Sequence, residues 1–210
     1  MAKPVYITNG QDRLSEKLRV GDILINTNTF SPSHCGIVTD ATAPNSYMIT
    51  HARRKGMITE GFLNWADEAD MFRMKPGLST EEAEAVALVA LEIAKSATYG
   101  KARAVFQSTF SSHKVGKGLE ARLEKYRERL QEHQGVVKNV YCSDLVVLSY
   151  QLACGVTTKD GKIATKDFVY QGERMFIRLD SKHCWPSTLR TYLMADRDWE
   201  YLGLYRPKPT

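Results

Sequence analysis

A cysteine at the start of a predicted helix is the residue in this chain best placed to act as a nucleophile. Cys142 follows the strand-like run 136–141 and opens an apolar stretch that ends near Cys154. Backbone N–H groups at a helix start, together with the helix dipole, stabilise a negative sulfur and can contribute to an oxyanion hole. A free cysteine is also commonly a small buried hydrophobic residue, so Cys142 taken alone leaves both interpretations open.

Two histidines upstream are candidates for the base that a cysteine nucleophile needs. His34 and His51 lie on consecutive predicted strands. Histidine accepts a thiol proton near neutral pH, and a polar partner on its far ring nitrogen fixes the tautomer. His51, Asp40 and Glu60 are candidates for that partner of His34. Each histidine on its own is equally compatible with an ordinary hydrogen-bonded side chain.

The elements that must position these residues divide into a strand-rich first part and a largely helical second part. Short runs of apolar and β-branched residues, separated by brief polar turns, predict an antiparallel, barrel-like sheet. Its predicted strands are 23–26, 34–40, 47–52, 55–59, 71–74 and a closing strand at 199–205.

Helix signals follow this first group of strands. Ser79 and Glu82 have the spacing of a capping box, which predicts that a helix begins there. A later charged stretch carries apolar residues at helical spacing, typical of a helix with one narrow buried stripe. The stretch after Cys142 is apolar on most sides and is therefore expected in the core. The predicted helices are 80–97, 117–134, 142–154 and a short one from Pro186.

Four motifs carry a resemblance to a known family, and in chain order they are GDIL at 21–24, SHCGIV at 33–38, MITHA at 48–52 and YCSDLV at 141–146. In this order they resemble the permuted branch of the NlpC/P60 superfamily, the YiiX/YebB-like papain-fold amidases. In ordinary members the cysteine helix precedes the histidine strands, whereas here it follows them. The segment 186–189 also resembles a segment of that branch. The resemblance implies an α+β fold of circularly permuted papain-like type, with an antiparallel barrel-like sheet packed on the helix that bears the nucleophile.

The resemblance also implies roles for single residues. Cys142 would be the nucleophile, His34 the base and His51 the residue that orients the base. Tyr141 and Ser143, on either side of the nucleophile, are predicted to contact substrate, and packing is the alternative for Tyr141. No cofactor is expected.

The remaining cysteines are expected to be buried and without a catalytic role. Cys35 follows His34 on a strand, so its side chain should point to the opposite face. Cys154 lies at the far end of the predicted cysteine helix. His183 and Cys184 invite a metal interpretation, but no second ligand pair lies nearby, and no metal is predicted.

Length and charge are compatible with one enzyme domain. The 210 residues are interpreted as a single domain, 1–210, in which about 110–135 is a helical insertion without a counterpart in the resembled family. The net charge of +5 is mildly basic and would suit an anionic polymer. Because basic residues are scattered among acidic ones, nucleic acid is not an expected partner.

The resemblance implies a cysteine hydrolase that cleaves an amide bond in peptidoglycan peptides. One alternative is a hydrolase or acyltransferase acting on N-acyl amides or lipids, although such relatives carry Asn-Cys-Glu-His where this chain has Tyr-Cys-Ser-Asp. Another is a non-catalytic binding module. The first residues lack a signal peptide's apolar core, and no run has the roughly 18 apolar residues of a membrane helix. A cytoplasmic protein with no integral membrane segment is therefore expected. A cytoplasmic protein would meet a cell-wall substrate if it acts on recycled wall fragments, is encoded by a phage, or is delivered as an effector by a route that needs no signal peptide. The partner of such an effector would be an immunity protein.

Overall fold

A seven-stranded sheet and four helices of ten or more residues form the centre of the computed structural model. The structure describes residues 5–6, 18–26, 34–42, 47–53, 56–65, 69–99, 118–132, 135–137, 139–159, 162–165 and 173–206. Within these residues the architecture is α+β, as predicted.

The main sheet has the strand order β1-β11-β6-β2-β3-β4-β5. Its neighbouring strands are antiparallel, except that β1 pairs with β11 in parallel. The members of this sheet are β1 (Val5–Tyr6), β2 (Ile23–Asn26), β3 (Cys35–Asp40), β4 (Met48–Arg53), β5 (Gly56–Gly61), β6 (Ala69–Met74) and β11 (Trp199–Arg206). His34, directly before β3, and His51 on β4 are therefore carried by adjacent parts of the sheet, because β3 pairs directly with β4.

Two short sheets complete the strand set, and helices connect and cover the strands. The short strands are β7 (Thr98–Tyr99), which pairs with β8 (Asn139–Val140), and β9 (Val156–Lys159), which pairs with β10 (Lys162–Thr165). The helices are α1 (Phe62–Trp65), α2 (Thr80–Ser96), α3 (Leu119–Gln131), α4 (Cys142–Ala153) and α5 (Pro186–Ala195), with a 3₁₀ turn at Ser181–His183. The β9–β10 hairpin was not predicted, whereas each predicted helix is present.

The predicted capping box opens α2. The Ser79 hydroxyl accepts the Glu82 backbone N–H at 3.2 Å, and the Glu82 carboxylate accepts the Ser79 backbone N–H at 2.7 Å. Two N–H groups that a helix start leaves without intrahelical partners are thereby satisfied. This fixes where α2 begins and hence how it meets the sheet.

Alternation along the strands divides the apolar side chains between two clusters. Ile23, Ile25 and Ile37 join the larger cluster, which also contains the buried side chains of α2 and α4. Leu24 and Val38, one position away, belong to a smaller cluster on the other face of the sheet. All twelve residues of α4 are buried, which confirms the prediction that this helix lies in the core. The nucleophile candidate is thus carried by a helix held on all sides.

The Gly-Asp motif before β2 has a structural role in the sheet. The Asp22 carboxylate accepts two hydrogen bonds from the Arg73 guanidinium, at 2.8 and 2.7 Å, and both side chains are buried. The Tyr150 hydroxyl of α4 donates to the Gly21 carbonyl at 2.5 Å. These contacts tie β2, β6 and α4 together, so the motif positions the helix that carries Cys142.

The charged helix α3 packs against the rest of the fold. Leu123 and Leu130 of its predicted stripe are fully buried, and Arg127 is only 5% exposed, lying against Gly155 just after α4. Arg122 pairs with Asp180 at 2.6 Å, next to the 3₁₀ turn. The designation of 110–135 as an insertion stays a prediction, and its positions 110–117 and 133–134 lie outside the described residues. In the part of the chain that the structure describes, no helix is long and apolar enough to cross a membrane.

Candidate active site

Cys142 is the first residue of α4, as the sequence predicts. Tyr141 before it is extended, with φ −111° and ψ 176°, and its carbonyl accepts the Leu145 N–H at 3.1 Å. The chain therefore changes from extended to helical at the cysteine. This places the thiol beside N–H groups that the helix does not itself satisfy. Cys142 is 7% exposed, so its sulfur lies largely away from solvent.

His34 directly precedes β3, and a backbone hydrogen bond to β2 fixes its position. Its carbonyl accepts the Asn26 N–H from β2 at 2.6 Å. Strand alternation places His34 on the same side as Gly36, and Gly36 pairs with His51 on β4. The Nε2 of His34 lies 2.7 Å from the Nδ1 of His51, and the two rings meet edge to face. The predicted base and orienting residue are therefore in direct contact.

A carboxylate extends this pair of histidines. Glu60 on β5 is a diagonal neighbour of His51 across the β4–β5 ladder, and its Oε1 lies 2.8 Å from the His51 Nε2. The same oxygen lies 2.7 Å from Nη2 of Arg53. Glu60 therefore orients His51 rather than His34, which was the alternative considered for it. The other alternative, Asp40, instead accepts two hydrogen bonds from Thr42, both at 2.8 Å.

The order of partners fixes the tautomers of both histidines. Burial, followed by the positive charges of His34 and Arg53, lowers the pKa of His51 to about 3, so this ring is neutral near pH 7. A neutral ring has one donor and one acceptor nitrogen, and Glu60 takes the donor. The Nδ1 of His51 must then accept from the Nε2–H of His34. The remaining ring nitrogen of His34, Nδ1, is left to exchange a proton with the thiol.

Two residues that are adjacent in the chain, His34 and the first residue of β3, Cys35, lower the pKa of the Cys142 thiol. A hydrogen bond with the Cys35 thiol is the largest influence that lowers the pKa of Cys142, and the hydrogen bond and positive charge of His34 lower it further. Together they outweigh burial and hold this pKa well below its ordinary value. Burial and the neighbouring Cys142 sulfur raise the pKa of Cys35, so Cys35 keeps its proton. Of the two thiols, Cys142 is therefore the one that ionises.

The residues on either side of the nucleophile both bind the segment 181–184. The Tyr141 hydroxyl donates to the Ser181 carbonyl at 2.9 Å, and the Ser143 hydroxyl donates to the Cys184 carbonyl at 2.5 Å. Both side chains are buried. These bonds agree with the packing alternative for Tyr141 and give Ser143 the same kind of role, while substrate contact by either residue stays a prediction.

No protein-family model, curated protein or solved structure matches the chain. The argument for a function therefore depends on the geometry of the site and on the chemistry of its side chains.

A separate cavity lies at the other end of α4. It has a volume of about 560 Å³ and lies between the turn at 19–22, the segment 77–80 and α2, with Tyr150 in its wall. Tyr150 lies eight positions after Cys142 in the helix, or about 12 Å along its axis at about 1.5 Å per residue. None of the candidate catalytic side chains lines this cavity.

Two features of the site were not predicted from the sequence. Cys35 is predicted only to be buried, which it is, but it also lowers the pKa of Cys142. Glu60 was considered only as a partner of His34. The signal for Glu60 was present, because a carboxylate on the strand after His51 can reach it diagonally. Among the described residues, no group of three His, Cys, Asp or Glu side chains is arranged to hold a metal ion.

Proposed function

We propose that this chain is a cysteine hydrolase that cleaves an amide bond in peptidoglycan peptides, on a circularly permuted papain-like fold. One observation carries the proposal. His34 lies 2.7 Å from His51, between its Nε2 and the His51 Nδ1, and its hydrogen bonding and charge lower the pKa of the Cys142 thiol at the start of α4. A thiolate beside a protonatable imidazole, oriented by a third group, is the arrangement that covalent acyl transfer requires.

In the first step the Cys142 sulfur attacks the carbonyl carbon, and the carbonyl π electrons move onto oxygen. First-turn N–H groups of α4 are positioned to stabilise that oxyanion. His34, protonated at Nδ1, gives this proton to the leaving nitrogen as the C–N bond breaks, and a thioester remains. Water then attacks the thioester while His34 takes its proton. The C–S bond breaks, which releases the acid and restores the thiolate.

His51 and Glu60 serve this cycle by keeping His34 in one tautomer. The Nε2–H of His34 always faces an acceptor, because neutral His51 presents its Nδ1 there. The proton that His34 gains or loses must therefore be the one on Nδ1. In this scheme His51 is a positioning residue and does not itself exchange a proton with the substrate.

The peptide-wall substrate is supported by the family resemblance and by net charge, and the fold type by the order of elements. Both histidine strands precede the cysteine helix, and β3 pairs with β4 next to that helix. A net charge of +5 favours approach to an anionic polymer. The nitrogen of an amide is a poor leaving group unless it is protonated, and an imidazolium next to the sulfur supplies that proton.

The test is digestion of purified peptidoglycan sacculi, with mass analysis of the soluble fragments. The wild type should release fragments that carry one new amino and one new carboxyl group, and Cys142→Ala should release none. Cys154→Ala is the matched control, because Cys154 is a buried thiol in the same core, and its Sγ donates to the Tyr150 carbonyl at 3.3 Å. Equal release by Cys142→Ala and wild type would refute the assignment of the nucleophile.

A second substrate set separates the reaction from its substrate. If wild type leaves sacculi intact but hydrolyses N-acyl amides in a Cys142-dependent manner, the peptidoglycan part of the proposal is wrong and the hydrolase part stands. If Cys142 is alkylated by iodoacetamide no faster than an ordinary thiol at pH 7, the hydrolase part is wrong as well.

A further inference from the structure

The cavity beside Tyr150 has the volume and the lining of a small-molecule site. Its volume of about 560 Å³ falls within the roughly 300–1,000 Å³ that is typical of ligand pockets. The buried side chains of Met74, Ala87 and Tyr150 line it, and half-buried Leu88 and Leu91 of α2 extend this apolar wall. An apolar molecule that covers the wall removes it from water, which favours binding. The cavity is therefore suited to a ligand with an apolar body.

The apolar wall follows the axis of α2. Ala83, Ala87 and Leu91 line the cavity at intervals of four residues, which places them in one row on the surface of the helix. From Ala83 to Leu91 this row spans about 12 Å, at about 1.5 Å per residue. An extended alkyl chain such as that of decanoate has a similar length. The shape of the wall therefore favours a straight alkyl chain.

Two of the four charged side chains in the lining neutralise each other. The Asp22 carboxylate accepts from Nε and Nη2 of Arg73 at 2.8 and 2.7 Å, and both side chains are buried. The two charged residues that remain, Arg19 and Glu84, are exposed at the rim. Among the described residues, neither of them forms an ion pair. The polar group of a ligand can therefore be recognised by one of these two side chains.

The surroundings of Arg19 favour an anion. Its Nη1 lies 3.8 Å from the position that a Cβ on Gly77 would occupy, so the guanidinium lies beside this turn. Arg174 donates to the carbonyls of Lys75 and Gly77, both at 3.0 Å. Its charge is offset by Glu82, whose carboxylate it binds at 2.9 and 2.7 Å. Arg19 and the exposed Lys75 therefore make this end of the cavity positive, which attracts a negative group.

We propose that this cavity binds a small amphipathic anion, whose carboxylate pairs with Arg19 and whose straight apolar chain lies along α2. A guanidinium donates two parallel hydrogen bonds to a carboxylate, so Arg19 fixes the head of the ligand while Ala87 and Leu91 contact its chain. The inference goes beyond the proposed function and does not depend on it, because none of the candidate catalytic side chains lines the cavity.

Isothermal titration calorimetry of the full chain with decanoate tests the head of the ligand. Wild type should bind a single decanoate per chain. Acetate, which lacks the alkyl chain, should show no binding, and decylammonium, which has the opposite charge, should bind more weakly than decanoate. Arg19→Gln should weaken decanoate binding about fivefold, which is the scale of an ion pair at an exposed guanidinium. Glu84→Gln is the matched control, because it removes a charge at the same rim, and it should bind decanoate at least as tightly as wild type.

A second set of variants tests where the alkyl chain lies. Ala83→Leu keeps a strong helix former but projects a larger side chain from the apolar row into the cavity, so it should lose decanoate binding. Cys142→Ala should bind decanoate as wild type does. If Ala83→Leu does not fold, as judged by thermal unfolding, Leu91→Gln takes its place, because glutamine makes the wall polar and is also a good helix former.

Results at either end of the ligand would overturn the proposal. For the head, they are equal affinities of wild type and Arg19→Gln for decanoate, or tighter binding of decylammonium than of decanoate. For the chain, they are no binding of decanoate by wild type, unchanged affinity in Ala83→Leu, or loss of binding in Cys142→Ala, which would place the ligand at the candidate active site. Because calorimetry needs no turnover, a failure to digest sacculi combined with Arg19-dependent binding would refute the proposed function and leave this site standing.

Discussion

Replacement of Glu60 by glutamine tests whether the histidine pair is a directed relay. The Glu60 carboxylate accepts from His51 at 2.8 Å and from Arg53 at 2.7 Å, so Glu60→Gln removes the charge that both contacts use. Glutamine also carries an NH₂ group that can donate to Nε2 of His51. In that arrangement His51 would carry its proton on Nδ1 and would face His34 with a donor. His34 would then be forced into the tautomer that cannot accept the thiol proton.

The size of the effect follows from the exposure of the carboxylate. Hydrogen bonds to charged groups contribute about 1.5–3 kcal/mol, and the lower end applies because the Glu60 side chain is 18% exposed. About 1.5 kcal/mol corresponds to roughly a tenfold loss of rate. We therefore expect about tenfold slower alkylation of Cys142 by iodoacetamide at pH 7, and a similar loss of turnover on sacculi.

A matched variant separates this effect from a general change of charge. Glu92→Gln also neutralises a glutamate in an ion pair, but its partner Lys95 is exposed and the pair lies on α2, away from the site. Its alkylation rate should equal that of wild type. If Cys142 is alkylated as fast in Glu60→Gln as in Glu92→Gln, the relay from Glu60 through His51 to His34 is refuted.

Three further outcomes are expected. His34→Ala should lose more sacculus-digesting activity than His51→Ala, because proton transfer is lost rather than orientation; equal or reversed losses would mean that the two roles are misassigned. Since the pKa of His51 is lowered to about 3, only the unfolded chain binds its proton between about pH 6.5 and 3, and stability falls as pH falls through this window. The free energy of unfolding in urea should be about 1.5 kcal/mol lower at pH 5 than at pH 6.5 in the wild type, and His51→Gln should lack this decrease. The same decrease in wild type and His51→Gln would contradict the lowered pKa of His51. Gly155→Ala should lower stability by about 1–3 kcal/mol in thermal unfolding, because its Cβ would lie 2.5 Å from Nε of buried Arg127. Gly61→Ala, with no atom within 4 Å of the added carbon, is the control, and equal stability of the two variants would refute this contact.

Local patterns in the sequence predict the elements of the site but not its contacts. Cys142 at a helix start and His51 on a strand follow from periodicity, capping and turn residues, which act over a few positions. The Glu60–His51 and His34–His51 contacts depend instead on how β3, β4 and β5 align. Register is set by the whole hydrophobic pattern and by turns, so a single strand does not reveal its diagonal neighbours.

Similar reasons explain the other differences. Substrate contact by Tyr141 and Ser143 stays a prediction, and the sequence did not predict that their hydroxyls bind carbonyls about forty residues later, at Ser181 and Cys184. No local pattern encodes such a distant partner. The β9–β10 hairpin is a different case. An Asp-Gly pair at 160–161 lies between runs that contain β-branched residues, and this pattern is a strong local signal for a hairpin.

The order of the site's parts along the chain has a consequence during synthesis. His34 and His51 leave the ribosome first, and Cys142 follows about 100 residues after His34. At translation rates of about 5–20 residues per second, the segments that carry both histidines exist for about 5–20 s before Cys142 is made. During that interval the nascent chain contains the proposed base without the proposed nucleophile. The candidate nucleophile is thus synthesised after both of the histidines proposed to act with it.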